Sequence, residues 1–154
     1  MIAIRPACSE DWQAIARLTE RLAHFRLPPG RTEQEIARAD HPILRAQLEA
    51  PTDDVLFLVA ENESDGIVGT IFANTKIDYF THAPIAYVEV LAVTEAAAGT
   101  GLAKRLMHEV EEWARRRGLQ RVDLMVFAVN ERARGFYEHL GYTAEFMRYV
   151  KLVG

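Results

Sequence analysis

Apolar residues recur along the chain with two kinds of spacing, and these predict its secondary structure. Short β-branched or alternating apolar runs bounded by glycine, proline or polar turns are typical of strands. We place strands at residues 2–5, 55–61, 67–77, 85–93 and 122–127, with a last antiparallel strand or pair at 142–153. Apolar residues spaced three and four apart are typical of amphipathic helices. We place helices at residues 9–22, 32–51, 101–117 and 130–140.

Local signals mark several ends of these elements. Thr32 followed by Glu35 has the form of a capping box, so a helix should begin there. Pro42 should interrupt or restart that helix, because a mid-helix proline loses a hydrogen bond and clashes with the preceding turn. Asp65-Gly66 indicates an antiparallel hairpin between the second and third strands. Gly118 is a natural left-handed cap for the helix before it.

The order of elements predicts an α/β fold: a mixed, mostly antiparallel sheet with helices on both faces, formed by one domain of residues 1–154. The strand at 85–93, the helix at 101–117 and the strand at 122–127 should form a central right-handed crossover between parallel strands. Ligands of such sheets tend to lie beyond the carboxyl ends of strands, where the connectivity changes. That rule places the site at Val93–Gly101.

The stretch Gly99-Thr100-Gly101 has the composition of a phosphate-binding turn. The first N–H groups of a helix have no intrahelical partner and attract anions. Neither a Walker A motif nor a dinucleotide fingerprint fits, because Arg105 follows Lys104 and no third glycine is in place. A tight strand-to-helix turn without any ligand explains these glycines equally well.

Composition narrows the function classes. The net charge of −4 argues against nucleic acid as a general partner and permits a cationic substrate. No apolar run approaches the length of a membrane span, and the first residues lack the pattern of a signal peptide. Cys8 is the only cysteine, and the five histidines show no ligand spacing. We therefore expect a cytoplasmic protein with no metal and no nucleic-acid or membrane partner.

Three segments together carry a family resemblance. They are Glu89-Val90-Leu91-Ala92-Val93, Gly99-Thr100-Gly101-Leu102-Ala103, and Asn130-x-x-Ala133-x-x-Phe136-Tyr137-Glu138-x-Leu140-Gly141-Tyr142. With the order of elements, they make the chain resemble the GNAT superfamily of acyl-CoA-dependent N-acyltransferases. The glutamate on the strand makes it similar to the small-amine branch, which acts on diamines and related molecules.

The resemblance implies that acetyl-CoA lies in a gap between the strands at 85–93 and 122–127. Backbone groups of the stretch Leu91-Ala92-Val93 would pair with the pantetheine arm. Backbone amides would hold the pyrophosphate, from Ala98, Gly99, Thr100, Gly101, Leu102 and Ala103. The family usually has Arg or Gln where this chain has Ala98, so we expect weaker cofactor binding rather than a different cofactor.

The resemblance also implies catalytic roles. Tyr137 matches the general acid that protonates the departing CoA thiolate, and Asn130 would order the cofactor arm besides capping its helix. Glu89 is the candidate general base, since an amine with a pKa near 10.4 is almost entirely protonated at neutral pH. Glu89 could instead anchor the ammonium group, or be an outward-facing strand residue with no such role.

These expectations combine into a function. The protein should transfer an acetyl group from acetyl-CoA to a primary amine of a small molecule, by direct attack in a ternary complex. The alternatives are a catalytically silent acyl-CoA-binding or regulatory domain, and an acetyltransferase that acts on a protein N-terminus or lysine. Family resemblance also favours a homodimer.

Overall fold

One five-stranded sheet, in the order β1-β2-β3-β4-β5, runs through the computed structural model, which describes residues 1–154. The strands are β1 (Ile2–Pro6), β2 (Val55–Asn62), β3 (Gly66–Ile77), β4 (Pro84–Val93) and β5 (Val122–Leu124). Neighbouring strands are antiparallel except for the parallel pair β4 and β5. The predicted mixed sheet with a central parallel crossover is therefore confirmed.

The helices agree with the apolar spacing. They are α1 (Trp12–Thr19), α2 (Glu33–Arg38), α3 (His41–Glu49), α4 (Leu102–Arg116) and α5 (Glu131–His139). Thr32 and Glu35 form the predicted capping box, in which the Thr32 hydroxyl accepts from the Glu35 N–H at 3.2 Å. Pro42 lies in the first turn of α3, where its missing N–H costs nothing, so the chain restarts a helix there. None of the helices is long and apolar enough to span a membrane.

Helices cover both faces of the sheet, as the sequence predicts. On one face, α4 buries its apolar stripe against residues of β2, β3 and β4 that include Leu58, Ile71 and Val88. On the other face, α1 and α3 contribute Ile15 and Leu44 to a second cluster. That cluster is completed by the alternate residues of the same strands, namely Phe57, Val59, Phe72 and Val90. The two-residue period of the strands thus divides one apolar core between two helix layers.

Gly69 in β3 lets α4 approach the sheet closely. A Cβ atom at this position would lie 3.1 Å from Leu102 Cδ2, 3.3 Å from Leu106 Cδ1 and 3.3 Å from Val93 Cγ1. Both leucines belong to α4 and are essentially inaccessible to solvent, so they have no space into which to move. The position of α4, and of the loop before it, depends on this missing side chain.

The sheet is smaller at its carboxyl-terminal end than the sequence predicts. β5 stops at Leu124 rather than 127, because no strand lies beside it beyond that point. The strand expected at 142–153 was wrong: this segment has no strand partner, and residues 143–154 are all exposed. Its apolar alternation does not make a strand, since a strand needs a second backbone to satisfy its N–H and C=O groups. Side chains attach it instead, with Glu145 2.8 Å from Arg121 and Phe146 stacked on Phe80.

We expect Gly69→Ala to lower the free energy of unfolding by about 1–3 kcal/mol, because the added methyl group overpacks the contact with α4. For a chain of this length, each 1 kcal/mol corresponds to roughly 2–4 °C in Tm. Thermal unfolding followed by circular dichroism measures the change. Gly135→Ala is the matched control: a Cβ at this helical position meets nothing within 4 Å, so the substitution should raise Tm slightly. An unchanged Tm for Gly69→Ala would contradict the packing argument.

Candidate active site

β4 and β5 separate halfway along β4. Their parallel pairing begins at Ala86 and ends at Val88, which lies opposite Leu124. β4 continues to Val93 and is paired there only with β3. The second half of β4 therefore has a free backbone edge, and a gap opens between the two strands at the place that the crossover rule predicts.

The backbone groups of Leu91 and Val93 point into this gap. The N–H of Thr94 donates to a carbonyl of β3 at 2.9 Å. Because backbone groups alternate between the two sides of a strand, Ala92 also faces β3, while Leu91 and Val93 face away from it. Arg21, in the 3-10 turn that follows α1, donates from Nε to the Val93 carbonyl at 2.8 Å.

The loop of residues 94–101 leads from the gap to α4. Gly99 and Gly101 have φ values of +77° and +89°, which other residues adopt only with strain. The N–H groups of Ala98 and Thr100 donate to carbonyls within the loop, at 3.0 Å and 3.3 Å for their shortest bonds. Four of the predicted cradle residues have N–H groups with no acceptor in the chain: Gly99, Gly101, Leu102 and Ala103.

These four N–H groups lie at the amino terminus of the 15-residue helix α4. Added Cβ atoms at Gly99 and Gly101 would meet nothing within 4 Å, so the backbone there is open to an approaching group. Unpartnered N–H groups and the positive end of the helix dipole favour an anion such as a diphosphate. The side chain of Ala98 adds only a methyl group, and the cation held at the entrance of the loop is Arg21.

The start of α5 sets the position of Tyr137. Asn130 caps the helix, its Oδ1 accepting from the Ala133 N–H at 3.2 Å, and Tyr137 lies two turns further on. Its ring packs on Phe136 and Tyr142, with centroids 5.0 Å and 5.9 Å away, and joins the α4-side core. Burial raises the pKa of Tyr137 to about 12, so its phenol keeps its proton at neutral pH. Its hydroxyl has no partner in the chain, whereas that of Tyr142 donates to Glu111 at 2.9 Å.

A β-bulge positions Glu89. Phe72 pairs with Val90 and Ala73 pairs with Val88, so Glu89 is an extra residue in β4. Val88 therefore packs on the α4 side and Val90 on the side of α1 and α3, instead of both pointing the same way. The Glu89 side chain is only 16% exposed, so it is largely shielded from solvent.

Glu89 lies within a group of polar side chains from β3 and β4. Its Oε1 is 2.6 Å from Lys76 Nζ and 3.4 Å from Asn74 Nδ2. The Lys76 ammonium lies 3.8 Å from the centroid of the Tyr87 ring. Asn74 Oδ1 is buried and has no hydrogen-bond partner. We call these four residues the Glu89 cluster.

Asp40 brings a second carboxylate to this cluster. It is the residue before α3, is half-buried, and makes no capping hydrogen bond with its side chain. Burial, and after it the negative charge of Glu89, raise the pKa of Asp40 to about 6 against the opposing charge of Lys76. The pKa of Tyr87 is raised to about 12, chiefly by burial and then by the negative charges of Glu89 and Asp40.

Sequence reasoning missed Asp40, Asn74, Lys76 and Arg21. Asn74 and Lys76 could have been suspected, because they lie two residues apart, and so on one face, of a strand that pairs with the one carrying Glu89. Asp40 falls within the helix predicted at 32–51, and no motif marks it. Nothing in the local sequence distinguishes Arg21 from the other arginines.

Asp40→Asn should stabilise the protein at high pH. The pKa of Asp40 is about 3.8 in the unfolded chain and about 6 in the folded protein, so the folded state binds the proton more tightly. The free energy of unfolding therefore falls as the pH rises through that interval. After allowance for partial exposure, we expect Asp40→Asn to add about 1–2 kcal/mol at pH 8 and almost nothing at pH 4. Urea unfolding at both values measures this, with the exposed Asp53→Asn as control. An equal effect at both pH values would contradict the charge argument.

Comparisons with known proteins agree with this geometry. The model of the acetyltransferase (GNAT) family matches residues 14–142. A mycothiol acetyltransferase of Beutenbergia cavernae is 43% identical over 56 residues, which are 36% of this chain but only 19% of that protein. A proposed acetyl transferase of Pyrococcus furiosus has a TM-score of 0.77 at 25% identity, covering 99% of this chain and 100% of its own.

A further solved structure has the same fold. It is an aminoglycoside 6′-N-acetyltransferase of Acinetobacter haemolyticus, with a TM-score of 0.71, 20% identity and 99% of each chain covered. At this identity the likeness shows the fold alone. The family model covers most of the chain, including β4, the glycine loop, α4 and α5. This chain therefore belongs to the GNAT family of acetyltransferases.

Proposed function

We propose that this protein transfers an acetyl group from acetyl-CoA to a primary amine of a small molecule. The observation that carries the proposal is the continuity of two open backbone surfaces. The free edge of β4 at Leu91 and Val93 leads into the unpartnered N–H groups at the start of α4. An amide-containing arm with a diphosphate at one end matches that succession of partners.

The residues present fit acetyl-CoA, the acyl donor of the GNAT family. The backbone N–H and carbonyl of Leu91 and the N–H of Val93 are open to the pantetheine arm, while the Val93 carbonyl is bonded to Arg21. Gly99 and Gly101 leave the backbone accessible to a diphosphate. The proposed role of Asn130 is to order the arm as well as to cap α5. When bound, acetyl-CoA supplies an acetyl group activated as a thioester.

Tyr137 is the proposed general acid. Its Oη holds a proton at neutral pH, because burial raises its pKa to about 12, and that proton has no acceptor within the chain. The proton is therefore available to a sulfur atom that leaves as thiolate, whose basicity in solution corresponds to a pKa of about 8.5.

Glu89 is the proposed acceptor-side residue. An alkylamine with a pKa near 10.4 is deprotonated at pH 7 at a cost of roughly 4–5 kcal/mol. The Glu89 carboxylate, mostly buried beside the free edge of β4, can hold the ammonium group and take its proton directly or through water. Asp40 adds negative charge near it, which favours a cationic acceptor.

We propose direct attack by the amine, without a covalent enzyme intermediate. The one cysteine, Cys8, lies between β1 and α1, on no element of the gap. Hydrogen bonds with Glu10 and Asp11 raise the pKa of its thiol, which is the opposite of what a nucleophilic cysteine requires.

The homodimer and the cytoplasmic location stay predictions. For the dimer, support comes from the carboxyl-terminal segment, which leaves Met147, Tyr149 and Val150 exposed at 77%, 83% and 72%. It follows α5 near β5, whose outer edge has no strand beside it. An exposed apolar segment and an unpaired edge are features that a second copy could cover together.

Acetyl-CoA should raise the Tm of this protein, whereas ATP and NAD should not. A ligand at 100 times its Kd adds about 2.7 kcal/mol to the free energy of unfolding, which is a shift of several degrees at this chain length. Differential scanning fluorimetry measures the shift, and an amine panel with detection of released thiol then measures transfer. No shift would remove the basis of the proposal. A shift without transfer to any acceptor would favour the silent acyl-CoA-binding domain.

Tyr137→Phe should lower kcat by about 100-fold or more, since the variant keeps the ring but loses the proton donor. The Kd for acetyl-CoA, measured by calorimetry, should stay within a few-fold. Tyr142→Phe is the matched control, because it removes a neighbouring hydroxyl that is already bonded to Glu111. It should cost stability and leave kcat within a few-fold. Equal losses of kcat in the two variants would show that Tyr137 is not the acid.

A further inference from the structure

We propose that Lys76 occupies the subsite for the acceptor's ammonium group in the unliganded protein, so that the acceptor must displace it. The inference rests on the proposed function, because it identifies the group that competes with the acceptor at Glu89. It also assigns the acceptor a chemical class: a primary alkylamine that is protonated when it binds.

The contacts of Lys76 are those of a bound amine. Its Nζ lies 2.6 Å from Glu89 Oε1 and 3.8 Å from the centroid of the Tyr87 ring. A carboxylate and an aromatic face are the two groups that proteins use to recognise an ammonium ion. The lysine side chain is itself a primary amine on a four-carbon chain, so the site already holds a cation of the class it would recognise.

The ion pair has a mobile partner and a fixed one. The Lys76 side chain is 45% exposed, whereas the Glu89 side chain is 16% exposed and belongs to the bulged part of β4. Lys76 can move its ammonium into water at little cost when another cation takes its place, since the partly exposed lysine regains its hydration. Glu89 cannot follow it, and its buried negative charge would then lack a cation.

Lys76 leaves the polar groups of the cluster incompletely paired. Asn74 donates to Glu89, but its Oδ1 is buried and without a partner, although an ammonium group lies on the same carboxylate. An ammonium ion has three N–H donors. An acceptor that enters from the gap can direct one donor to Glu89 and another to Asn74 Oδ1, which Lys76 does not reach from β3.

Charge and shape around the pair favour an alkylamine. The charges of both members of the pair act on the carboxyl group of Asp40, so removal of the Lys76 cation leaves two acidic groups without a compensating charge. Lys76 and Tyr87 also border a groove whose other walls include the apolar residues Ile77, Phe80 and Phe146. A carbon chain attached to the bound ammonium group would find an apolar surface there.

Calorimetric titration with n-hexylamine tests the displacement without any chemistry. The titration is made on the protein alone and in the presence of CoA, which has no acetyl group to transfer. Lys76→Met should bind hexylamine at least ten-fold more tightly than the wild type, because the internal cation is gone. Lys76→Arg keeps the cation and should bind like the wild type. The exposed Lys151→Met is the matched control for loss of one positive charge, and it should also bind like the wild type.

Two further arms separate electrostatic displacement from simple removal of bulk. Hexan-1-ol has the same chain without the charge, so Lys76→Met should gain little affinity for it. The double variant Lys76→Met, Glu89→Gln should lose the gain for hexylamine. Circular dichroism establishes that each variant is folded before titration. Equal hexylamine affinity in Lys76→Met and wild type, or an equal gain for the alcohol, would overturn the inference.

The inference and the proposed function can fail separately. If the wild type acetylates amines while Lys76→Met binds them no better, Lys76 does not occupy the subsite and the acetyltransferase proposal stands. If Lys76→Met binds hexylamine tightly while no variant releases thiol from acetyl-CoA with any amine, the subsite exists and the proposed reaction is wrong.

Discussion

The pairing of β4 is the constraint on which the rest of the structure depends. β4 is bonded to β3 along its length but to β5 only from Ala86 to Val88. Where β5 departs, backbone groups stay open, and the chain beyond Val93 can place the amino terminus of α4 at the end of that edge. Gly69 permits α4 to pack closely enough to stay there. The donor side of the proposed site is therefore made almost entirely of backbone, so the proposal does not depend on the side chain at Ala98.

The acceptor side of the proposed site consists of charged side chains, and the same strand positions them. One extra residue in β4 puts Glu89 on the face that α1 and α3 cover, where Asp40 approaches it. Asp40 and Glu89 are two acidic groups in a half-buried site, and the raised pKa of Asp40 means that its charge weakens the folded protein at neutral pH. They also make the site attractive to a cation, and in the unliganded protein Lys76 supplies one. In the proposed site, the charges that favour binding of a cation also lower the stability of the folded protein, as is common at binding sites that are formed before the ligand binds.

Much of the fold could be read from local patterns. The capping box at Thr32, the restart at Pro42 and the hairpin at Asp65-Gly66 each depend on residues close in sequence, and each is present in the structure. The segment 142–153 shows where such reading fails. Its alternation is that of a strand, but β-structure needs a partner, and the sequence does not state whether one lies within reach. The same limit applies to β5, whose apolar run extends beyond the last residue that pairs with β4.

The sequence by itself determined most of the elements, the glycine loop before α4 and the family, because these depend on periodicity and short motifs that can be recognised without knowledge of tertiary contacts. Tertiary structure alone decided where along β4 the pairing with β5 ends, which face Glu89 occupies, and which charges meet there. The physical reason is distance along the chain: Asp40, Lys76 and Glu89 come from a helix start and two strands, and interact only once the sheet has formed. A bulge of one residue reverses the direction of a side chain, and no local propensity signals it.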